Sequence, residues 1–440
     1  MSNYKGVIIE ESLCNKSVLH ELKILKTKVE KVTKEHQTPY LKQWTLSTVE
    51  VAEKDANDVA KKISKSFDKV HNDWYADYKN DKYHYIIYPN KIFKVDFKNP
   101  EEYQPATDYG ISIGIPPYQL DFSPTISIPI PRESQPYNFD YFLTHYVFYP
   151  WVVEDKKLVR LFKLPSGKFV LTRTGFIEKQ HPTLTVALES KQTLTDEDRK
   201  WVIDMISWIF SVKDEVKEFY EIICQKDSIL KAASREIYGA HLRTDPYVFE
   251  SVLGVIMAQN VFFQRIYEMN RLLSQKFGEK QKFGKTTYYT FPTPEKLAKA
   301  ELSEIRACKV GYRDKYIKGV AQKVVNEKLN LDELRKLTDI NLIREKLIEL
   351  PGVGPYTADL AIAIGFRLPT FHLDLFSREA MYQFYFKGKT VTDRELREFV
   401  DKRWGRWKAF VMLLLTTNTD TWAKETGKEF RLKSAAKSPS

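Results

Sequence analysis

Apolar positions repeat differently in the two halves of the chain. Before residue 195, short runs of β-branched and aromatic residues bounded by turn residues predict strands at 84–88, 92–95, 159–164, 169–172 and 184–188. One helical pattern, over residues 56–71, interrupts this region. From residue 195 to 422 a helical spacing dominates, and Thr195 with the three acidic residues after it is a typical helix start.

These patterns predict an α+β multidomain protein with four parts. Residues 1–122 form an α+β module of unknown role, and a proline-rich connection follows it. Residues 123–210 form an antiparallel β-sheet domain, and residues 211–430 form a mostly α-helical domain. Residues 431–440 are basic, rich in small residues and predicted to be disordered.

A helix, a tight hairpin and a second helix are predicted around residues 341–364. Apolar residues at helical spacing end near Leu350, and Pro351 and Gly352 stop that helix. Gly354 allows close backbone approach, and Pro355 suits the first turn of a new helix. Such a hairpin presents free backbone N–H groups and a helix dipole to an anion such as phosphate. The alternative is an ordinary corner between two core helices.

Charge and cysteine content limit the class of partner. The net charge of +11 and the isoelectric point near 9.1 favour a polyanion, although a lysine surplus also serves solubility. Cys14, Cys224 and Cys308 lie far apart, so neither a disulfide framework nor a zinc site is expected. With no apolar run of membrane-spanning length and no signal core, we expect no membrane partner and a cytoplasmic, nucleoid-associated protein of prokaryotic intracellular type.

Residues 350–359, followed by His372-Leu373-Asp374, resemble the hairpin and catalytic aspartate of the helix-hairpin-helix (HhH-GPD) base-excision DNA glycosylases. Residues 241–250, 256–260, 311–313 and 403–409 are similar to further segments of the family, in its alkylbase (3-methyladenine) and 8-oxoguanine branches. Endonuclease III-like members carry a four-cysteine iron–sulfur cluster after this domain. No cysteine follows Cys308, so that cluster is not expected.

The resemblance implies that Asp374 stabilises positive charge on the sugar as the N-glycosidic bond breaks, and that it can also act as a general base toward the attacking water. Taken by itself, Asp374 could equally be the N-cap of a helix over residues 375–384. The hairpin residues implied to contact DNA are Leu350, Gly352, Val353, Gly354, Tyr356 and Thr357.

Tyr356 occupies the position at which bifunctional relatives have a lysine nucleophile. A tyrosine cannot form a Schiff base, so excision without strand cleavage (no AP lyase activity) is expected. Lys346, one helix earlier, lies among charged residues and is more typical of a solvated surface.

The remaining implied site residues each have a structural alternative. Gln259 and Asn260 match the turn that fills the gap left by a flipped base, or they end a helix. Trp407, together with Tyr356, matches the base pocket, or it packs in the core. Ala409 stands where 8-oxoguanine glycosylases have a glutamine. The implied phosphate contacts are Arg313, Lys315 and Lys318.

The expected function is therefore a monofunctional DNA glycosylase of base excision repair that acts on a damaged, alkylated purine in double-stranded DNA. The enzymatic alternative is a uracil, mismatch or 8-oxoguanine glycosylase, and the alternative of another class is a non-catalytic DNA-damage binding protein. No catalytic metal or other cofactor is expected, apart from a structural monovalent cation at the hairpin backbone that the resemblance allows. The protein is expected to be a monomer.

Overall fold

The computed structural model describes residues 3–32, 38–71, 73–96, 102–116, 119–120, 125–178, 181–192 and 194–432. The chain forms two compact units, Met1–Thr125 and Ile126–Ser440. The predicted boundary at residue 122 and the tail from residue 433 fall outside the described residues.

The first unit is built on a six-stranded antiparallel sheet. Its order is β2-β3-β1-β4-β5-β6, so β1 pairs with β3 and β4, which come later in the sequence. The strands are β1 (Tyr4–Ile9), β2 (Lys23–Lys31), β3 (Gln43–Val51), β4 (Ala76–Lys79), β5 (Tyr83–Tyr88) and β6 (Lys91–Asp96).

Three helices accompany this sheet: α1 (Ser17–His20), α2 (Ala56–Ser66) and α3 (Tyr103–Ser112). Helix α2 buries Val59, Ala60 and Ile63 in one hydrophobic cluster with Tyr85 and Ile87 of β5. The alternate β5 residues, Ile86 and Tyr88, belong to a second cluster with Tyr103 and Ala106 of α3. Because side chains alternate along a strand, the sheet is covered on both faces.

A five-stranded sheet opens the second unit, in the order β7-β11-β10-β9-β8. The strands are β7 (Thr125–Pro129), β8 (Val152–Glu154), β9 (Lys157–Lys163), β10 (Phe169–Ile177) and β11 (Thr183–Glu189), with α4 (Phe139–Thr144) between β7 and β8. A capping box at Thr195 and Asp198 starts α5 (Asp196–Ile209), as the sequence predicts.

Helices form most of the rest of the chain. They are α6 (Cys224–Lys226), α7 (Ser228–Ser234), α8 (Val248–Ala258), α9 (Phe263–Phe277), α10 (Pro294–Lys299), α11 (Leu302–Ile305), α12 (Asp314–Asn326), α13 (Ile340–Ile348), α14 (Pro355–Phe366), α15 (Leu375–Phe384), α16 (Asp393–Trp404), α17 (Lys408–Thr416) and α18 (Thr419–Glu425).

A β-hairpin interrupts the helices where the sequence pattern predicts helix alone. Strands β12 (Lys280–Phe283) and β13 (Thr286–Tyr289) pair after α9. Phe283 and Tyr288 cover Leu161 and Leu171 on one face of the five-stranded sheet. The aromatic alternation was available in the sequence, but its partner surface lies more than a hundred residues earlier, so local spacing could not reveal it.

Two hydrophobic clusters fill the second unit. One joins the opposite face of the sheet to α5 and to the helices from α15 onward, and the other lies among α8 to α14. Arg160 of β9 and Glu250 of α8, both buried, form a two-pronged ion pair with N–O distances of 2.8 and 2.6 Å. Because breaking a buried pair leaves an uncompensated charge, this contact holds the sheet and α8 in register.

The predicted α+β class is confirmed, with antiparallel sheets preceding a helical C-terminal part. Several predicted element bounds are also close: β5 and β6 contain the predicted strands, and α15 has the predicted limits. Helix α2 is shorter than predicted because Phe67 turns to extended backbone and is buried. The predicted separation of the sheet from the helices near residue 210 stays a prediction.

Candidate active site and nucleic-acid interface

The predicted hairpin is present between α13 and α14. Leu350 and Val353 are buried and anchor the turn in the helical cluster. Gly352 has a φ of +79°, and a Cβ there would lie 2.6 Å from the Tyr316 ring, so only glycine fits. A Cβ on Gly354 would meet nothing within 4 Å, so packing does not explain this glycine.

Gly354 is the N-cap of α14, and no side chain caps the helix there. Pro355 begins the helix, as predicted. The first turn of α14 therefore offers backbone N–H groups and the positive end of the helix dipole beside an open glycine. This geometry suits a phosphate group.

Asp374 is the N-cap of α15, which was the structural alternative for this residue. Its Oδ1 accepts a hydrogen bond of 2.7 Å from the Ser377 N–H, and its own N–H donates to Ser377 Oγ at 2.8 Å. Among the described residues these bonds leave Oδ2 available. The cap fixes the carboxylate at the end of a helix dipole and keeps one oxygen for another partner.

Tyr356, on the first turn of α14, lies close to Asp374. Burial, with a further contribution from the negative charge of Asp374, raises the pKa of Tyr356 to about 12. The phenol is therefore protonated at neutral pH and can donate a hydrogen bond but cannot act as a nucleophile. Its ring meets that of His372 edge to face, with the centroids 5.7 Å apart.

The turn after α8 contacts the hairpin directly. Gln259 Nε2 donates to the Gly352 carbonyl at 3.1 Å and to Thr357 Oγ1 at 3.0 Å. Asn260 is exposed and has a φ of +51°, a left-handed conformation that asparagine tolerates well. Gln259 thus braces the hairpin, whereas Asn260 is free to reach outward.

Two aromatic residues after this turn were missed in the sequence. Phe262 is 89% exposed and Phe263 is 59% exposed. Phe263 contacts the rings of Tyr146 and Phe148 at 5.3 and 5.9 Å, whereas Phe262 projects into solvent. The available signal was a pair of phenylalanines before the first buried position of α9, Ile266.

The prediction that Arg313 contacts a phosphate is not supported by its burial. Its side chain is only 4% exposed, and it donates to the carbonyls of Gln259 and Val310. It therefore holds the turn after α8 in place and does not present its charge to a phosphate. Buried carbonyl oxygens need donors, which the sequence cannot reveal. Lys315 and Lys318, on the first turns of α12, are exposed and half-buried respectively.

Trp407 packs in the hydrophobic core, which was the structural alternative for this residue. It is buried against Phe219 and Phe410, with ring centroids 5.4 and 6.0 Å away. Arg406 lies over the same ring at 4.5 Å. Trp407 belongs to the cluster of the sheet and C-terminal helices, whereas Tyr356 packs on the cluster of α8 to α14. The two predicted pocket residues thus lie on different hydrophobic clusters.

A buried ion cluster supports the segment that leads to Asp374. Asp359 of α14 is fully buried; its Oδ1 accepts from Arg344 at 2.7 Å, and its Oδ2 forms an ion pair with Arg397 at 3.0 Å. Beside it is a cavity of about 530 Å³, whose lining includes Asn341, Arg344, Thr370, Phe371, Arg397 and Lys408. The cluster fixes α13, α14 and α16 around the approach to the candidate site.

The described part of the chain offers neither a metal site nor a membrane-spanning helix. No group of three or more His, Cys, Asp or Glu side chains there could hold a metal ion. No helix there is long and apolar enough to cross a membrane. At the hairpin, where a monovalent cation was predicted, the Gly352 carbonyl already accepts from Gln259; the cation stays a prediction.

Comparisons with known proteins agree on one family. Residues 253–406 match the HhH-GPD superfamily of base excision DNA repair proteins. The chain is 28% identical over 240 residues to a probable N-glycosylase/DNA lyase of Methanothermobacter thermautotrophicus, covering 50% of this chain and 75% of that protein. It is 24% identical over 173 residues to a DNA-3-methyladenine glycosylase of Bacillus subtilis, covering 39% of this chain and 56% of that protein.

A solved structure has a similar fold. The 3-methyladenine DNA glycosylase of Archaeoglobus fulgidus superposes with a TM-score of 0.55 at 23% identity, covering 66% of this chain and 96% of that one. At this identity the likeness concerns the fold. The match over residues 253–406 shows that this part of the chain is an HhH-GPD domain of the base excision DNA repair superfamily.

Proposed function

We propose that the protein is a monofunctional DNA glycosylase that uses Asp374 to hydrolyse the N-glycosidic bond of a damaged purine turned out of the duplex. One observation carries this proposal. The cap bond fixes Asp374 at the start of α15 and leaves its Oδ2 available. Tyr356, on the helix that begins at the hairpin, lies next to it. A fixed carboxylate of this kind stabilises the positive sugar in the transition state.

DNA binding is assigned to the hairpin and its surroundings. The N–H groups at Gly354 and the start of α14 hold a backbone phosphate, and Lys315 and Lys318 add positive charge. Base flipping leaves a gap that must be filled. Asn260 and the exposed Phe262 are suited to this because they project from the turn that Gln259 fixes against the hairpin.

Absence of lyase activity follows from Tyr356. A protonated phenol cannot form the Schiff base through which a glycosylase cleaves the strand. The Methanothermobacter relative is named a probable N-glycosylase/DNA lyase, so the distinction needs a test. Borohydride should not trap the protein on DNA that contains an abasic site; a covalent adduct would contradict the assignment.

An alkylated purine, such as 3-methyladenine, is the proposed substrate class. Two of the similar proteins are named 3-methyladenine glycosylases. Alkylation at N3 or N7 makes the purine cationic, and cationic rings are attracted to aromatic faces. Uracil, mismatched bases and 8-oxoguanine are the alternatives. We further propose a monomer that acts on double-stranded DNA inside a prokaryotic-type cytoplasm without a catalytic cofactor.

A panel of duplexes, each with one modified base, tests the function. Wild-type protein should release an alkylated purine in single turnover, and Asp374→Asn should do so about 10²–10³-fold more slowly. Asparagine remains a good N-cap, so the fold should persist. Binding of damaged duplexes without release of any base would instead identify a damage-binding protein.

A further inference from the structure

His372 lies two residues before Asp374, in the segment that leads to α15. The chain here alternates between buried and half-buried side chains: Phe371 is 3% exposed and Leu373 is 5% exposed, whereas His372 and Asp374 are both half-buried. In extended chain, side chains two residues apart point to the same side. Phe371 and Leu373 enter the hydrophobic cluster, so His372 and Asp374 share the other side.

The neighbours of His372 are those of a reaction centre. Tyr356 meets its ring edge to face, and the negative charges of Asp374 and Asp359 both act on it. Asp359 is neutralised by Arg344 of α13 and Arg397 of α16, so its influence is compensated. Burial outweighs the two carboxylates and lowers the pKa of His372, so the imidazole is neutral at pH 7 with one nitrogen free to accept.

A bridging water needs two acceptors that face the same side of the chain. Residues i and i+2 of an extended segment are roughly 6–7 Å apart at Cα. Tyr356, which lies close to both residues, is a protonated phenol and so is a hydrogen-bond donor. The acceptors are therefore Asp374 Oδ2 and the free imidazole nitrogen, and a water bound between them can donate to both.

We infer that His372 is the general base that activates the hydrolytic water, while the carboxylate of Asp374 stabilises the sugar; this inference rests on the proposed glycosylase function. As the bond between C1′ and the base nitrogen breaks, its electron pair leaves with the base. The water oxygen bonds to C1′, and its proton passes to the imidazole nitrogen. A cationic alkylpurine becomes neutral on leaving and needs no added proton.

The test is the pH dependence of single-turnover release of 7-methylguanine, between pH 5 and 8.5. In the wild type, protonation of His372 abolishes its function as a general base. The rate of base release should therefore fall with decreasing pH through an apparent pKa below 6.5. His372→Asn should lower the plateau about 10²–10³-fold and lose this acid limb. His181→Asn, the same change at an exposed histidine of the same unit, should keep both rate and limb.

Two further measurements separate chemistry from folding. Affinity for a duplex with a tetrahydrofuran abasic analogue, and Tm, should be unchanged in His372→Asn. Imidazole added to His372→Ala should restore part of the rate in proportion to its neutral form. The inference is overturned if His372→Asn keeps the wild-type rate, or if it slows release but retains the acid limb and imidazole gives no rescue. If the wild type releases no base from any duplex, the proposed function itself fails, and this inference with it.

Discussion

The two units differ most clearly in the kind of positive charge that they carry. In Met1–Thr125, 18 lysines balance 18 acidic residues and no arginine is present. The first arginine is Arg132, so the whole surplus of +11 lies in the second unit. Arginine forms bidentate contacts with carboxylates and phosphates, whereas lysine is a strongly hydrated point charge. The amino-acid composition of the second unit therefore suits a polyanionic partner better than that of the first.

Exposed ion pairs occur in both units, but buried arginine–carboxylate pairs distinguish the second. In the first unit, Lys61 and Asp58 of α2 form a pair whose side chains are 57% and 76% exposed. In the second, Arg160 is 2% exposed and Asp359 is fully buried. Exposed pairs contribute little to stability, whereas a buried pair fixes the groups around it. All candidate site residues lie in the second unit, where the framework is fixed in this way.

The largest expected contrast between the units is in thiol reactivity. Cys14 of the first unit is exposed, whereas Cys224 and Cys308 of the second are buried. Burial raises the pKa of Cys224 to about 12, so its thiolate fraction at pH 8 is on the order of 10³ lower than that of a free thiol. A thiol reagent should label Cys14 quickly and the other two only as the second unit opens, as peptide mass spectrometry would show.

Cys14→Ser is the matched control and should remove the fast phase alone. If all three thiols reacted together in the native protein, the two units would not differ in protection, and the burial of Cys224 would be wrong.

A second contrast uses two aspartates at helix N-caps. Asp374→Asn should slow base release about 10²–10³-fold. Asp55, the exposed N-cap of α2 in the first unit, makes no capping hydrogen bond. Asp55→Asn should leave excision kinetics unchanged. Equal loss in both variants would show that the effect at Asp374 does not arise from local chemistry at that residue.

How far the sequence could predict this site depends on how local each signal is. The hairpin and the start of α15 are encoded in a few adjacent residues: Pro351-Gly352 stops one helix, Pro355 begins the next, and Asp374 with Ser377 forms a cap. These were predicted. Gln259 and Arg313 were misjudged because their partners, the Gly352 and Gln259 carbonyls, come from distant segments.

The same limit applies to the fold. Two strands of the first unit, β5 and β6, were predicted from short apolar runs, but β1 to β4 were not. Strand β1 pairs with both β3 and β4, a register that depends on contacts between residues 37 to 74 positions apart. The face of the second sheet covered by β12 and β13 is a similar case. His372 is part of the sequence motif, but only the burial of Phe371 and Leu373 indicates that its side chain points to the same side as that of Asp374.

The two hairpin glycines allow a sharper test inside the second unit. Gly354→Ala is tolerated by a φ of −98° and by open space, so Tm should be unchanged, while the new methyl group keeps a phosphate from the N–H groups. We expect roughly tenfold weaker binding to duplex DNA, equivalent to about 1.4 kcal/mol. Gly352→Ala should instead lower the free energy of unfolding by about 1–3 kcal/mol, because φ is +79° and the Tyr316 ring is in contact.

Fluorescence anisotropy and thermal melts on both variants separate the two effects. Loss of stability in Gly354→Ala, or full DNA affinity in that variant, would contradict the phosphate assignment.

The smallest expected effect concerns which lysines contact DNA. Lys315→Glu with Lys318→Glu removes two candidate phosphate contacts from α12, so the slope of log K against log salt should fall by about 2. Lys61→Glu with Lys65→Glu makes the same change on the exposed face of α2 in the first unit and should leave the slope as in the wild type. Affinities measured at several salt concentrations decide this. If the α2 pair lowered the slope as much as the α12 pair, the DNA-binding surface would extend to the first unit. The balanced charge of the first unit would then not exclude contact with DNA.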